Sequence, residues 1–405
     1  MRRYRAAWAL PIAAPPIKDA SVTLDRGRIV SIGPAPSNTS TASKDYIDLG
    51  SAVVLPGLVN AHTHLEFSFL EGRIAPAESM PEWVDEILSA KLGTEIEKRN
   101  AIESSIVELR RHGTALVGDI SNTLATVEPL KRAPLSAVVF HELLGFNSSD
   151  PDAQARSAVE ATDLSSEVEG VRVSVAAHAP YSVSPALFEA LRRELSAKCP
   201  MAPITVHLAE SAEELVFLDD GGGPWRQLLE RRGVWNPSWE PPQCSPGELL
   251  KRVGWYDPSV IVVHGVHLSV EDLLGLSESG VKLVTCPRSN VWTGAGPPPI
   301  KRFIESGVSL AVGTDSLASA PDLNLFAELA RLREISPDVP ASALLMSATI
   351  GGARALRWEN EFGTIEPGKS ADLITVVLPE TVSDVEEYLV SGIGASDITW
   401  LEDVS

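Results

Sequence analysis

Eight apolar, β-branched-rich runs recur along the chain, and most of them close on polar residues able to ligate or move protons. They are LPGLVNAHTHLE (55–66), TALVGDIS (114–121), SAVVFHELLG (136–145), VRVSVAAHAP (171–180), PITVHLAE (203–210), VIVVHGVH (260–267), VKLVTCPRS (281–289) and SLAVGTDS (309–316). Near-continuous apolarity over such lengths is what a parallel strand buried on both faces requires. Helix-like stretches with apolar spacing of three and four lie between them, at 102–111, 185–197, 270–279 and 323–333. Eight strands alternating with helices over roughly 300 residues predict an α/β fold of the (β/α)8 TIM barrel kind. A doubly wound open sheet is the rival, but it usually carries a Gly-rich phosphate loop after its first strand, and none follows 55–66 here.

The chain is longer than the barrel needs. Its 405 residues, 44% of them hydrophobic, can bury one large core and a smaller one. Strands at the two ends, in SVTLDRGRIVSIG and GTIEPGKSADLITV, have no barrel role. Residues 1–54 and 362–405 are therefore expected to form a small β-sandwich domain, and 55–361 the catalytic barrel. Two excursions, 67–99 with its EWVDEIL helix and 211–259 with GGGP and three tryptophans, are of the kind that roofs a site or merely decorates a surface.

A formal charge of −20 repels phosphate backbones and anionic lipid, so nucleic acid and membrane are not expected partners. No apolar run reaches the length of a membrane span. The opening MRRYRAAWALPIAAPPI loosely imitates a secretory signal, yet Pro11, Pro15 and Pro16 interrupt it and an edge strand accounts for it better. Cys199, Cys244 and Cys286 form no CxxC and leave an odd thiol, which suits a reducing cytoplasm. A homodimer is the default expectation for a soluble enzyme.

In a barrel, residues late in each strand converge at its C-terminal face. Here they are His62 and His64, His141, His178, His207 with Glu210, His264, Arg288 and Asp315. A strand puts His62 and His64 on one face, whereas a helix would splay them. Any one of these histidines has an ordinary reading as a hydrogen-bonded core residue. The set does not, because so many imidazoles and a carboxylate desolvated on one axis without a cation would cost about 1–3 kcal/mol each. His62, His64, His207 and Asp315 offer the nitrogen and oxygen ligands that suit one divalent ion, zinc first, with iron(II) or manganese as alternatives. A second ion would want a bridging ligand, commonly a lysine on the fourth strand, and VRVSVAAHAP has none.

The order PGLVNAHTHLE, HAPYSV, HLAESAEE, HGVHL, CPRSN and GTDS, ending in GTIEPGKSADL, resembles the amidohydrolase superfamily, specifically its mononuclear aminohydrolase branch. That branch includes S-adenosylhomocysteine and methylthioadenosine deaminases, aminodeoxyfutalosine deaminase, guanine and cytosine deaminases and triazine chlorohydrolases. The resemblance covers nearly the whole chain and implies a hydrolytic deaminase of an amino-substituted purine or related N-heterocycle. By the same resemblance His62, His64, His207 and Asp315 are metal ligands, and Glu210 shuttles a proton to a ring nitrogen. His264 polarises the attacking water or the developing oxyanion, Asp315 helps expel ammonia, and His178 touches substrate. Glu210 has a blander alternative as a cap for the helix that starts at Ser211.

Substrate choice is open at this level. Arg288 and Arg73 can each clamp a substrate carboxylate such as the benzoate of aminodeoxyfutalosine, or equally hold a loop by a salt bridge. Phe67 and Trp83 can stack on a purine or pack beneath a loop. Two other classes stay in view: a cyclic amide hydrolase or chlorohydrolase on the same barrel, and a metal-binding scaffold without catalysis.

Overall fold

The apolar run that carries the His-x-His pair divides at Gly57 into strands of two different sheets. Ala52–Pro56 pairs with Arg2–Ala9 and Leu373–Val377, while Leu58–Thr63 begins the barrel. A Cβ at Gly57 would lie 2.6 Å from that of Ala115 and 3.0 Å from the Asp372 carbonyl, so a side chain has no room where the chain passes from one sheet to the other. The computed structural model describes residues 1–36, 46–162 and 167–404; residues 37–45 of the expected end-built domain and 163–166 of the expected barrel segment lie outside the described residues.

The barrel strands are β1 (Leu58–Thr63), β2 (Thr114–Ser121), β3 (Ser136–Leu143), β4 (Val171–Ala177), β5 (Ile204–Leu208), β6 (Val260–His264), β7 (Lys282–Thr285) and β8 (Ser309–Val312). Each pairs in parallel with the next in chain order. The ring closes where Thr63 bridges Asp315 and the Thr314 and Asp315 amides donate to the His62 carbonyl at 3.1 Å. First and last strands thus meet at two of the expected ligands. Every residue of β1, β2, β5 and β6 is buried, as the near-continuous apolar runs require.

Helices between the strands start at side-chain caps. Thr94, Ser184, Ser211 and Ser269 accept from backbone amides at the starts of Glu95–Arg111, Pro185–Lys198, Ala212–Asp220 and Val270–Ser279. Ser211 and not Glu210 is therefore the cap of its helix. The excursion after β1 contributes the helix Met80–Ser89, and that after β5 contributes Ala212–Asp220, Gly223–Arg231 and Pro246–Arg252. Asp85 ties the first excursion to the second, accepting from Arg232 at 2.6 Å and Arg231 at 3.2 Å.

The chain ends join in a separate mixed sheet of seven strands. Its order is Ile398–Trp400, Leu373–Val377, Ala52–Pro56, Arg2–Ala9, Ile17–Asp25 and Arg28–Pro34, with Ile47–Asp48 also on Arg2–Ala9. The later helix Val385–Leu389 instead buries Val385 and Leu389 in the main core. Among the described residues no helix is long and apolar enough to cross a membrane.

Candidate metal centre and active site

His62 and His64 leave the end of β1, His207 stands in β5 and Asp315 follows β8, and all four side chains are buried. The Nε2 atom of His207 is 3.3 Å from Nε2 of His62 and 3.3 Å from Nε2 of His64. Asp315 Oδ1 lies 3.8 Å and 3.6 Å from the same two histidine nitrogens. Ligands about 2.0–2.1 Å from a tetrahedral divalent ion stand about 3.4 Å apart, so this quartet has the spacing of a cation cage. The chemistry of the donors agrees. Burial pushes the imidazole of His64 down to about 3 and that of His207 down to about 4, which keeps both rings neutral with a lone pair to give.

Neighbouring groups orient the ligands. His207 Nδ1 donates to the His178 carbonyl at 3.0 Å, which places its proton there and leaves Nε2 facing His62 and His64. Asp315 Oδ2 accepts from the hydroxyls of Ser289 and Ser319. A trio of Glu142, His178 and His207 also has metal-like spacing. It is not an independent centre, because Glu142 faces His207 through the Nδ1 side, at 3.6 Å. The backbones of His264 (φ 72°) and Asp315 (φ 58°) adopt the left-handed region that non-glycine residues seldom occupy, a local strain that turns both side chains at their strand ends.

Beside the quartet stand two proton-handling groups. His264 Nε2 is 3.3 Å from Glu210 Oε2. Burial first, and then the charges of Asp315 and Glu214, hold the Glu210 carboxyl well above its ordinary value. Burial lowers the His264 imidazole. Asn290, absent from the residues singled out in the sequence, contacts both: its Nδ2 is 2.9 Å from His264 Nδ1 and 3.4 Å from Glu210 Oε1.

A cavity of about 650 Å³ opens over these groups, lined by His64, His178, His207, Glu210, His264 and Asp315 at its polar end. Phe67 and Trp83 line it as well. Phe67 stacks on the His64 ring at 5.5 Å, and Trp83 donates its indole N–H to the Ala318 carbonyl at 3.3 Å. The two arginines expected as substrate clamps stand elsewhere. Arg288 donates to buried Glu328 at 2.6 Å and to Asp322 at 2.8 Å, and Arg73 is exposed; neither borders the cavity.

His141 is also displaced from expectation. It is half-buried and outside the lining, whereas its neighbour Glu142 is buried and faces the cavity. Alternation along β3 makes this unavoidable, since one of two adjacent residues must point away from the barrel axis. Tyr181 is a further lining residue that the sequence reading did not single out. Its ring stacks on Trp225 at 3.7 Å and its buried hydroxyl has no hydrogen-bond partner among the described residues.

The sequence profile of the amidohydrolase family matches residues 53–393. The chain belongs to the amidohydrolase family. Among curated relatives of this amidohydrolase, a 5-methylthioadenosine/S-adenosylhomocysteine deaminase of Moorella thermoacetica is 29% identical over 409 residues, covering 96% of this chain and 89% of the relative. Among solved structures, Helicobacter pylori aminofutalosine deaminase in complex with methylthio-coformycin superposes with a TM-score of 0.83 at 26% identity, covering 96% of this chain and 95% of that one. An adenosine deaminase from Xanthomonas campestris with bound zinc gives 0.80 at 26% identity, over 98% and 90% of the two chains. A divalent metal site is common to the donor set described here and to that zinc-bound relative.

Proposed function

We propose that this amidohydrolase is a metal-dependent hydrolytic deaminase that cleaves the exocyclic carbon–nitrogen bond of an amino-substituted purine nucleoside or related N-heterocycle, with one zinc ion. The observation that carries the reading is the placement of Glu210 and His264, 3.3 Å apart, beside the His62, His64, His207 and Asp315 quartet, of which His64, His207 and Asp315 line the same cavity. A divalent ion in that quartet supplies Lewis acidity and lowers the pKa of a water to about 7.

The remaining steps belong to side chains. Glu210 accepts a proton from the attacking water and delivers it to the ring nitrogen next to the carbon under attack; its raised pKa makes it basic enough to take the proton and acidic enough to give it back. His264 donates from Nε2 to the oxygen that gains charge, a role supported by the Asn290 nitrogen 2.9 Å from its Nδ1. Asp315, held by Ser289 and Ser319, takes the proton left on the attacking oxygen and passes it to the amine, which leaves as ammonia as the carbonyl forms. His64, His207, Glu210, His264 and Asp315 are all buried, which limits the access of bulk water to the polar end. Cys244 and Cys286, which form no disulfide among the described residues, support a reducing, cytoplasmic setting.

The deciding experiment is ammonia release from zinc-loaded protein against adenosine, methylthioadenosine, S-adenosylhomocysteine, aminodeoxyfutalosine, guanine and cytosine. Ammonia from any member establishes deamination. Silence across the panel with metal bound would favour a cyclic amide substrate on the same barrel.

A further inference from the structure

The run Ser211-Ala-Glu-Glu214 has the form of a capping box, in which a serine at the helix N-cap and a glutamate three residues later satisfy each other's backbone amides. Half of that exchange is present, since the Ser211 hydroxyl accepts from the Glu214 amide at 3.3 Å. The Glu214 carboxylate goes elsewhere. Its Oε1 accepts the Ala209 amide at 2.8 Å and its Oε2 the Glu210 amide at 3.2 Å, two and one residues before the cap. At Thr94 and Ser269 the full box closes, so the departure belongs to this helix and is not a habit of the fold.

Ala209 is where such a partner matters. Its φ of 50° lies in the left-handed region that costs a residue with a Cβ, and the turn it makes carries the chain from the end of β5 to Glu210 at the cavity. The turn is pinned at its carbonyl as well, which accepts the His267 amide at 2.9 Å. One residue earlier the Leu208 carbonyl accepts the Gly265 amide at 3.0 Å, so the backbone that presents Glu210 is tied to the backbone that follows His264. Ala209, Glu210, Ser211 and Glu214 are all buried. In a buried turn an amide that loses its acceptor finds no bulk water to replace it.

We propose that Glu214 is a positioning residue of the deaminase: its two oxygens hold the amides of Ala209 and Glu210 and so set the direction from which the Glu210 carboxylate meets the substrate ring. The inference rests on the role proposed for Glu210 and deepens it. Two consecutive amides held by one planar carboxylate fix the Ala209 dihedrals between them, which a single hydrogen bond does not. A displacement of about 1 Å at a reacting group is enough to cost about 100-fold in rate, so loss of the brace appears in kcat more than in KM.

The test compares Glu214→Ala and Glu214→Gln with the wild type as zinc-loaded, full-length protein, at about pH 8, above the value of about 7 to which burial raises the Glu214 carboxyl. Alanine removes both acceptors. Glutamine keeps the volume and one acceptor but turns an N–H toward the second amide. The expected fall in kcat is about 100-fold for alanine and about tenfold for glutamine, with KM within about threefold and zinc content unchanged. Hydrogen exchange of a peptide covering 208–212 should quicken in both variants while peptides of β6 keep their protection.

Coupling separates positioning from general support of the fold. If Glu214 acts through Glu210, adding Glu214→Gln to Glu210→Gln lowers kcat no further, because the side chain it positions no longer carries a proton. A further tenfold loss in the double variant, or full kcat in Glu214→Ala, would overturn the inference. Should Glu214→Ala fail to fold, full kcat in Glu214→Gln would overturn it equally. Silence of the wild type toward every amino-heterocycle would overturn the deaminase reading alone. Hydrogen exchange then decides the brace: faster exchange at 208–212 in Glu214→Gln supports it, and unchanged protection removes it.

Discussion

The side-chain nitrogen of Asn290 lies 2.9 Å from Nδ1 of His264, whose Nε2 is 3.3 Å from Glu210 Oε2. An amide N–H donated to Nδ1 makes that atom an acceptor and puts the imidazole proton on Nε2, which faces Glu210 Oε2. The same amide nitrogen contacts Glu210 Oε1 at 3.4 Å.

Replacing Asn290 by alanine is expected to release the His264 tautomer and lower kcat by about 10–100-fold, the usual effect of losing a group that orients a reacting one. Metal content and melting temperature should hold. The pH profile of kcat should shift as well, because two populated tautomers titrate differently from one. An unchanged kcat would remove Asn290 from the arrangement.

Glu210→Gln keeps the shape and loses the proton carrier. Turnover should fall by about 10²–10⁴-fold, the range of general acid–base contributions. Zinc content measured by elemental analysis should stay at the wild-type level, since Glu210 stands outside the quartet of His62, His64, His207 and Asp315. Near-full activity in this variant would refute the assigned role.

His207→Ala removes a ligand whose partner ring atom is anchored on the His178 carbonyl at 3.0 Å. Its metal content should drop, and wild-type protein treated with a chelator should melt at lower temperature, because an ion bound to the native state alone adds about 2.7 kcal/mol at a free concentration one hundred times its Kd. The chelator should have little further effect on the melting of His207→Ala. Unchanged metal in this variant would contradict the ligand assignment.

Much of this was legible before the structure because barrel strands expose their chemistry in a fixed place. β2 and the helix Val270–Ser279 have the bounds that the apolar pattern predicts, and the four expected ligands meet at the strand ends. What stayed hidden has a common cause. A run apolar on every residue carries no phase, so it conceals the break at Gly57 and the choice between His141 and Glu142 for the inward face. Asn290 and Tyr181 lie on segments after β7 and β4, where position relative to the axis depends on loop geometry and not on periodicity.

Arg288 illustrates the opposite error, a residue whose chemistry suits a substrate but whose charge is spent inside the fold. Glu328, 0% exposed, and Asp322 take its guanidinium. Arg288→Ala should leave Glu328 buried and unpaired and destabilise the protein by about 3 kcal/mol in denaturant unfolding, in line with breaking a buried pair. The ratio of kcat/KM between neutral and carboxylate-bearing substrates should not change. A selective loss on carboxylate substrates alone would return Arg288 to the binding site.

Glu214 gives the pH dependence of stability its clearest local origin. It is fully buried four residues beyond Glu210, and burial raises its carboxyl from 4.5 to about 7 even though it accepts backbone N–H groups of Ala209 and Glu210 at 2.8 and 3.2 Å. The native state therefore holds this proton more tightly than the unfolded chain does. Stability from it is complete below about pH 4.5 and is lost as pH rises through about 7. Glu214→Gln, which cannot ionise, should flatten the fall in unfolding free energy between those pH values by on the order of 2 kcal/mol. A variant whose stability falls across that window as steeply as the wild type would show that Glu214 is already ionised in the fold, stabilised by the two amides more than burial disfavours it.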